Sequence, residues 1–287
     1  MSYPKLSRGD RGADVERLQT LLNRVGAMLE ADGIFGGGCQ RGVIYVQALA
    51  QQPQTGVVNE SLWHWLEAQP EPSMLLHTNG LAFIAMKETG GLNYYDQHTR
   101  LPHFPGEQSG ITIGVGYDLR WQNEASFRAL WSRHLSEEAI NELAKDIGKK
   151  GSQPRVEVLQ QMGIDVPFSA AWPVFVEHTI PDYYAQTKAI YPSMPRLPAL
   201  CRSTLVSLVY NRGPRLGNSD RRKEMREIRD ILIRADRSDS HAEKESILGL
   251  VADELLSMRR LWPHSAGLRK RREDEAALWH QGLEDWS

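Results

Sequence analysis

Strand-like alternation is convincing at one place in this sequence, from Ile111 to Tyr117, while the other apolar patterns repeat at helical spacing. Helical repeats run from Leu130 to Leu143, through Leu205, Leu208 and Val209, and through Met225, Ile228, Ile231 and Leu232. Another takes in Ile247, Leu250, Val251, Leu255 and Met258. A chain patterned this way folds as mainly α with a small β-sheet, because each apolar period must be buried by the element whose geometry matches it. In the alternating segment, Ile111, Ile113, Val115 and Tyr117 face one way and Thr112, Gly114, Gly116 and Asp118 the other. The second face is polar at its ends and bare in the middle, so a ligand can approach the backbone there. The expected pairing partner lies between Tyr94 and His103.

The first seventy or so residues read as a unit of their own. Val15, Leu18, Leu21, Leu22 and Val25 predict one amphipathic helix, and Val43, Val46 and Leu49 a second. A third, short helix carries Leu62, Trp63 and Leu66 and is capped by Asn59. Tight turns are predicted at Asp32-Gly33-Ile34-Phe35-Gly36 and at Thr55-Gly56. The run Gln69-Pro70-Glu71-Pro72-Ser73 predicts an extended linker, since closely spaced prolines cannot continue a helix. The expected division is a domain over 1–68, a linker over 69–75 and a second domain over 76–287.

With 34 basic and 36 acidic residues, the formal charge of −2 argues against electrostatically driven nucleic-acid binding. The basic clusters Arg221-Arg222-Lys223 and Arg269-Lys270-Arg271-Arg272 are each followed by acidic residues, so solvated helix faces are expected. No apolar stretch approaches a membrane span, and the N-terminus lacks a signal-peptide core, so synthesis in the cytoplasm and no membrane insertion are expected. Cys39 and Cys201 are the only cysteines and are far apart, which favours two thiols over a disulfide. No metal-ligand spacing and no cofactor motif occurs, and a monomer is expected.

Glu88 closes a helix-like run, Leu81 to Glu88, with Thr78 or Asn79 as its cap and Gly90-Gly91 as its stop. It falls at helical spacing on the stripe of Leu81, Ile84 and Ala85. A carboxyl group on an apolar face is expected to be desolvated, which favours the protonated form that a general acid needs.

Two resemblances sharpen these readings. The segment from about Leu6 to Glu67 resembles the peptidoglycan-binding domain of bacterial and phage wall hydrolases. The likeness rests on Leu6-Ser-Arg-Gly-Asp-Arg-Gly-Ala-Asp-Val-Glu-Arg-Leu-Gln19, Asp32-Gly-Ile-Phe-Gly36, Val46-Gln47, Thr55-Gly56 and Trp63. It implies peptidoglycan as partner, with Asp32, Gly33 and Phe35 as wall-binding candidates. The structural alternative is that Gly33 and Gly36 permit a positive φ and Phe35 fills the core. The Gly36-Gly37-Gly38-Cys39 stretch departs from the family's more constrained turn.

The remainder, from Leu75 to Leu278, resembles the phage-type lysozymes, and most of all their pesticin-like branch. The matching residues are Lys87-Glu88-Thr89-Gly90, Thr112-Ile113-Gly114-Val115-Gly116, Thr204 to Gly213, and Gly267 to Glu273. The resemblance implies an α+β lysozyme-like domain that hydrolyses the β-1,4 bond between N-acetylmuramic acid and N-acetylglucosamine. It implies Glu88 as acid, Thr112 as the residue orienting water and Asp118 as the second carboxylate; if the chain curls so that Asp118 faces Glu88 across a cleft wide enough for a water, an inverting reaction is expected. Tyr117, Tyr210 and Asn211 are candidate sugar contacts, the alternatives being a core position for Tyr210 and a helix C-terminal position for Asn211. The commoner phage-lysozyme spacing would use a carboxylate nearer Glu88, so Asp96 and Glu107 stay as rivals to Asp118. A straight strand would hold Thr112 and Asp118 roughly 20 Å apart, so a shared site requires the chain to curl at Gly114 or Gly116.

The implied function is a modular muramidase, either a phage endolysin released through a holin or an effector carried by a type VI secretion system, acting in the periplasm or wall. A zinc amidase or endopeptidase on the same anchor, using His98 or His103, is the rival enzyme class, although no His-Glu-x-x-His is present. An inactive wall-binding scaffold is the rival without chemistry.

Overall fold

A computed structural model describes residues 3–284 and Trp286. The protein is mainly helical and carries a small two-stranded sheet. Packing divides it into two compact units. The first takes in the chain up to Pro72 together with Leu81–Thr179; the second takes in Ser73–Gly80 and everything from Ile180 onward.

In the first unit, α1 (Ala13–Arg24), α2 (Gly37–Leu49) and α3 (Glu60–Glu67) enclose a core that includes Val15, Leu18, Leu22, Phe35, Val43 and Trp63. Asn59 caps α3 as its sequence predicts, its side chain accepting from Leu62 N at 2.9 Å. Two buried glutamines brace the two turns. Gln19 accepts from Gly33 N at 2.9 Å and donates to Asp32 Oδ1 at 2.7 Å, while Gln47 accepts from Gly56 N at 2.9 Å and donates to Val57 O at 2.9 Å. Each amide satisfies backbone groups that a turn leaves unpaired, which is why a buried polar side chain is tolerated there.

This three-helix element is not set apart from residues 81–179. Trp172 Nε1 donates to Arg24 O at 3.2 Å, and Tyr45 meets Phe168 edge-on at 6.4 Å between centroids. Gly26 has φ +90°, and a Cβ there would lie 2.9 Å from Phe168 and Trp172 ring atoms, so only glycine fits. Between these contacts Arg24 donates to Gln69 O at 3.1 Å and pairs with Glu71, so the Pro-rich segment is held along the surface. Packing thus divides the chain elsewhere than the apolar periodicity does, because the same apolar side chains that close one element also cover its neighbour.

Helix α4 (Thr78–Thr89) runs from one unit into the other and stops at Gly90, whose N–H donates to Met86 O at 2.8 Å. Thr78 and Asn79 lie inside its first turn, where His77 Nδ1 accepts from Asn79 N at 3.1 Å. After α5 (Leu92–Tyr94) and a π turn (Tyr95–Thr99), the chain reaches β1 (Thr112–Ile113) and β2 (Tyr117–Asp118). Helices α6 (Glu124–Trp131), α7 (Glu137–Ala144), α8 (Gln153–Gln161) and α9 (Phe168–Val174) complete the unit.

The second unit contains α10 (Ile180–Ile190), α11 (Ala199–Arg212), α12 (Lys223–Asp236), α13 (His241–Ser257) and α14 (Ala266–Glu284). The expectation of solvated basic faces fails on α14, where Arg271 and Arg272 are buried, Arg272 completely. Their charge is met by the fully buried Glu275, whose Oε1 accepts from Arg272 Nη2 at 2.9 Å, Arg271 Nε at 3.2 Å and Ser207 Oγ at 2.6 Å. Buried charges persist only when paired and hydrogen-bonded, and one helical turn brings these three together. Among the described residues, no helix is long and apolar enough to cross a membrane, and neither Cys39 nor Cys201 is in a disulfide.

Candidate functional site

The segment that reads as one alternating strand is a hairpin. β1 and β2 pair antiparallel, with Thr112 opposite Asp118 and Ile113 opposite Tyr117. The reversal occurs over Gly114-Val115-Gly116, with φ +56° at Gly114 and +69° at Gly116. A side chain at Gly114 would also meet Trp131 at 3.0 Å and Ala171 at 3.2 Å. The curl that a shared site requires is therefore present. Side chains directly opposite in an antiparallel pair project from the same face, with Cβ atoms roughly 5 Å apart. The predicted neighbour from the Tyr94 to His103 region is His103, which exchanges two backbone hydrogen bonds with Thr112, at 3.0 and 2.8 Å.

Asp118 has two oxygens with different tasks. Oδ1 accepts from Gly110 N and Arg120 N, both at 2.9 Å, and so caps the 3-10 turn Leu119–Trp121. No hydrogen bond involves Oδ2 among the described residues, and the side chain is half-buried. Thr112 is buried, and its Oγ1 has no partner among the described residues. An orphaned buried hydroxyl beside a carboxylate is a place where an ordered water gains bonds it would otherwise lack.

Glu88 is exposed, contrary to the buried position that its spacing suggests. The buried residues of α4 include Leu81, Ala82, Ile84, Ala85 and Thr89, and Thr89 takes the place next to the core, its Oγ1 donating to Ala85 O at 2.8 Å. Glu88 lies one turn beyond the buried Ile84 and one residue before the end of the helix, so the burial stops short of it and its side chain opens to solvent. Tyr117 also departs from expectation: only 4% exposed, its ring packs edge-on against Trp131 at 5.4 Å and beside Phe127, so the structure gives it a core position. Asp96 and Glu107 are both exposed; Asp96 Oδ1 lies 3.8 Å from Arg100, and Glu107 holds a left-handed φ of +47°.

The wall-binding candidates divide similarly. Phe35 fills the core, while Gly33 and the exposed Asp32 form the turn braced by Gln19. Asp32 also borders a cleft of about 320 Å³ with Arg41 on one side and Met86, Gly91 and Asn93 on the other. The turn of the three-helix element and the segment after Glu88 thus line one cleft, which the apolar periodicity did not indicate. Burial there pushes the Cys39 thiol up to about 12, with the Asp32 charge adding to it.

Tyr210 and Asn211 belong to the second unit. Tyr210 stacks on Tyr183 with centroids 4.1 Å apart, and Asn211 Oδ1 accepts from the buried Arg272 Nη2 at 3.3 Å.

Residues 11–66 match a family described as a putative peptidoglycan binding domain. The N-terminal helices thus form a module of the wall-binding kind, and peptidoglycan is the partner its family implies. Residues 83–167, which hold Glu88 and the hairpin, match a domain of unknown function, DUF8812. No curated protein matches the sequence. A solved structure, that of Burkholderia AP3 phage endolysin, aligns over 97% of this chain and all of that one, at 16% identity and a TM-score of 0.23. At that level the alignment establishes neither fold nor activity.

Proposed function

We propose that the protein is a peptidoglycan hydrolase that cleaves glycan strands as a muramidase, with the N-terminal module holding the wall. The observation that carries this reading is the pairing of Thr112 with Asp118 across a glycine-turned hairpin, which sets a hydroxyl and a carboxylate on one face. Glu88, on an exposed helix end, donates its proton to the leaving glycosidic oxygen. Asp118 Oδ2 takes a proton from the water that attacks the anomeric carbon, and Thr112 Oγ1 orients that water. The bond to the leaving sugar breaks as the bond to water oxygen forms, and attack from the face opposite the leaving group inverts the centre. Because Glu88 is open to solvent in the free chain, the covering surface around it must come from the bound glycan.

The cleft shared by Asp32, Arg41 and the Gly91 to Asn93 segment supports a substrate path that touches the module and the chain after Glu88 together. A holin or a secretion system would deliver the protein to the wall, and the genes beside its own would separate the two routes. Mass analysis of digested peptidoglycan tests the reading. New reducing sugar ends are expected from the unaltered protein and none from Glu88→Gln; cleaved amides in place of new reducing ends would overturn it and favour an amidase.

A further inference from the structure

The basic residues around Arg221 do more than solvate a helix. At the end of α11, a cavity of about 420 Å³ is lined by Asn211, Arg212, Ser219, Arg221, Arg222 and Trp262, and no carboxylate among the described residues borders it. The acids closest in sequence are already engaged elsewhere. Asp220 and Glu224 both pair with Arg260 at 2.6 Å, and Glu275 serves Arg271 and Arg272. Arg212, Arg221 and Arg222 have no ion pair among the described residues.

Arg212 is the centre of this arrangement. Its Nη2 donates to Arg221 O, but Nε and Nη1 are buried and have no acceptor among the described residues. Its guanidinium sits over the Trp262 ring, 5.0 Å from the centroid, and the buried Arg272 lies 5.7 Å from the same ring. Burial pushes the Arg212 guanidinium down to about 10, with Arg222 and Arg272 acting in the same direction and Glu224 opposing them. Arg222 is lowered as well, by burial first, and its Nη2 is turned onto Arg212 O at 2.5 Å. Buried guanidinium donors left unmatched cost free energy that an incoming anion recovers through charge-assisted hydrogen bonds. The volume falls within the range of small-molecule sites, roughly 300–1,000 Å³, and exceeds what a lone ion fills.

We propose that this cavity is an oxyanion site that takes a carboxylate or phosphate group carried on a larger molecule. Peptide carboxylates of a wall fragment and free or polymer-borne phosphate share that chemistry. Calorimetric titration of the full chain distinguishes them, using inorganic phosphate, a soluble muropeptide with free carboxylates, and the same muropeptide with its carboxylates amidated. Either anion should bind, and Arg212→Gln should weaken it by about tenfold or more, the loss of one charged hydrogen bond at a buried site. Arg221→Gln, altering an exposed side chain, should weaken binding less while leaving the fold unchanged by circular dichroism, so it carries the test if Arg212→Gln fails to fold. Tighter binding of the free-acid muropeptide than of phosphate assigns the site to wall peptide, and the reverse order assigns it to phosphate. Absence of binding by both anions, equal binding of the amidated muropeptide, or unchanged affinity in both variants overturns the proposal. The readout is binding alone, so the result is separate from whether Glu88 cleaves glycan.

Discussion

Thr112 and Asp118 stand directly opposite each other across the hairpin, the hydroxyl buried and unmatched among the described residues, the carboxylate half-buried with one oxygen committed to backbone N–H groups. That division of labour makes substitutions at Asp118 informative. Asparagine can keep the Oδ1 acceptor for Gly110 and Arg120 while removing the basic second oxygen. Asp118→Asn should therefore retain its melting temperature and lose roughly 10²–10⁴-fold in the rate of reducing-end release. Thr112→Ala should lose less, because it orients water without taking a proton. Gly114→Ala should lose both activity and stability, by about 1–3 kcal/mol, because its left-handed φ and the contact with Trp131 both oppose a Cβ. A stable, active Gly114→Ala would show that the turn does not position the pair.

The exposure of Glu88 separates chemistry from folding. Glu88→Gln should unfold at the unaltered temperature, bind sacculi normally and release no reducing ends. Asp96→Asn disturbs only a solvent-exposed approach to Arg100 at 3.8 Å and should leave the rate within a few-fold, roughly the scale of a surface ion pair. A greater loss in Asp96→Asn than in Asp118→Asn would transfer the second carboxylate to Asp96.

Removal of the N-terminal module should cost more than wall affinity. Deletion through Pro72 uncovers Phe168 and Trp172 and takes away the Arg24 carbonyl that accepts from Trp172 Nε1. Burial of each large aromatic side chain is worth about 1.5–3 kcal/mol, so the shortened chain should melt earlier or aggregate. Gly26→Ala should reproduce part of this loss in the full-length chain, since its Cβ would overlap both rings. Differential scanning calorimetry of the two variants checks it; an unchanged melting temperature in both would mean that the packing contributes nothing to stability.

Glu275 is expected to be the most sensitive acid outside the candidate site. Glu275→Ala leaves Arg271 and Arg272 buried without their shared carboxylate, and a broken buried pair of this kind costs about 3–5 kcal/mol. Denaturant unfolding of the variant should show that loss, with Glu275→Gln intermediate because its amide oxygen can still accept from Ser207 and Arg272.

What the sequence determined by itself is local. Helical periods placed α1 to α3 and the later helices, Asn59 marked its cap, and Gly114 and Gly116 marked where a strand could turn, because propensity, capping and left-handed φ are properties of neighbouring residues. The matched turns with Gln19 and Gln47 were legible as pattern, although their meaning as buried braces appears only with the partners in place. Tertiary structure decided the rest. It opened Glu88 to solvent and put Thr89 against the core, drew Tyr117 inward, buried Arg272 with Glu275, and packed Gly26 against Phe168 and Trp172. Spacing specifies which residues share a face of one element; whether that face meets water, another helix or an opposing charge depends on elements far away in the chain.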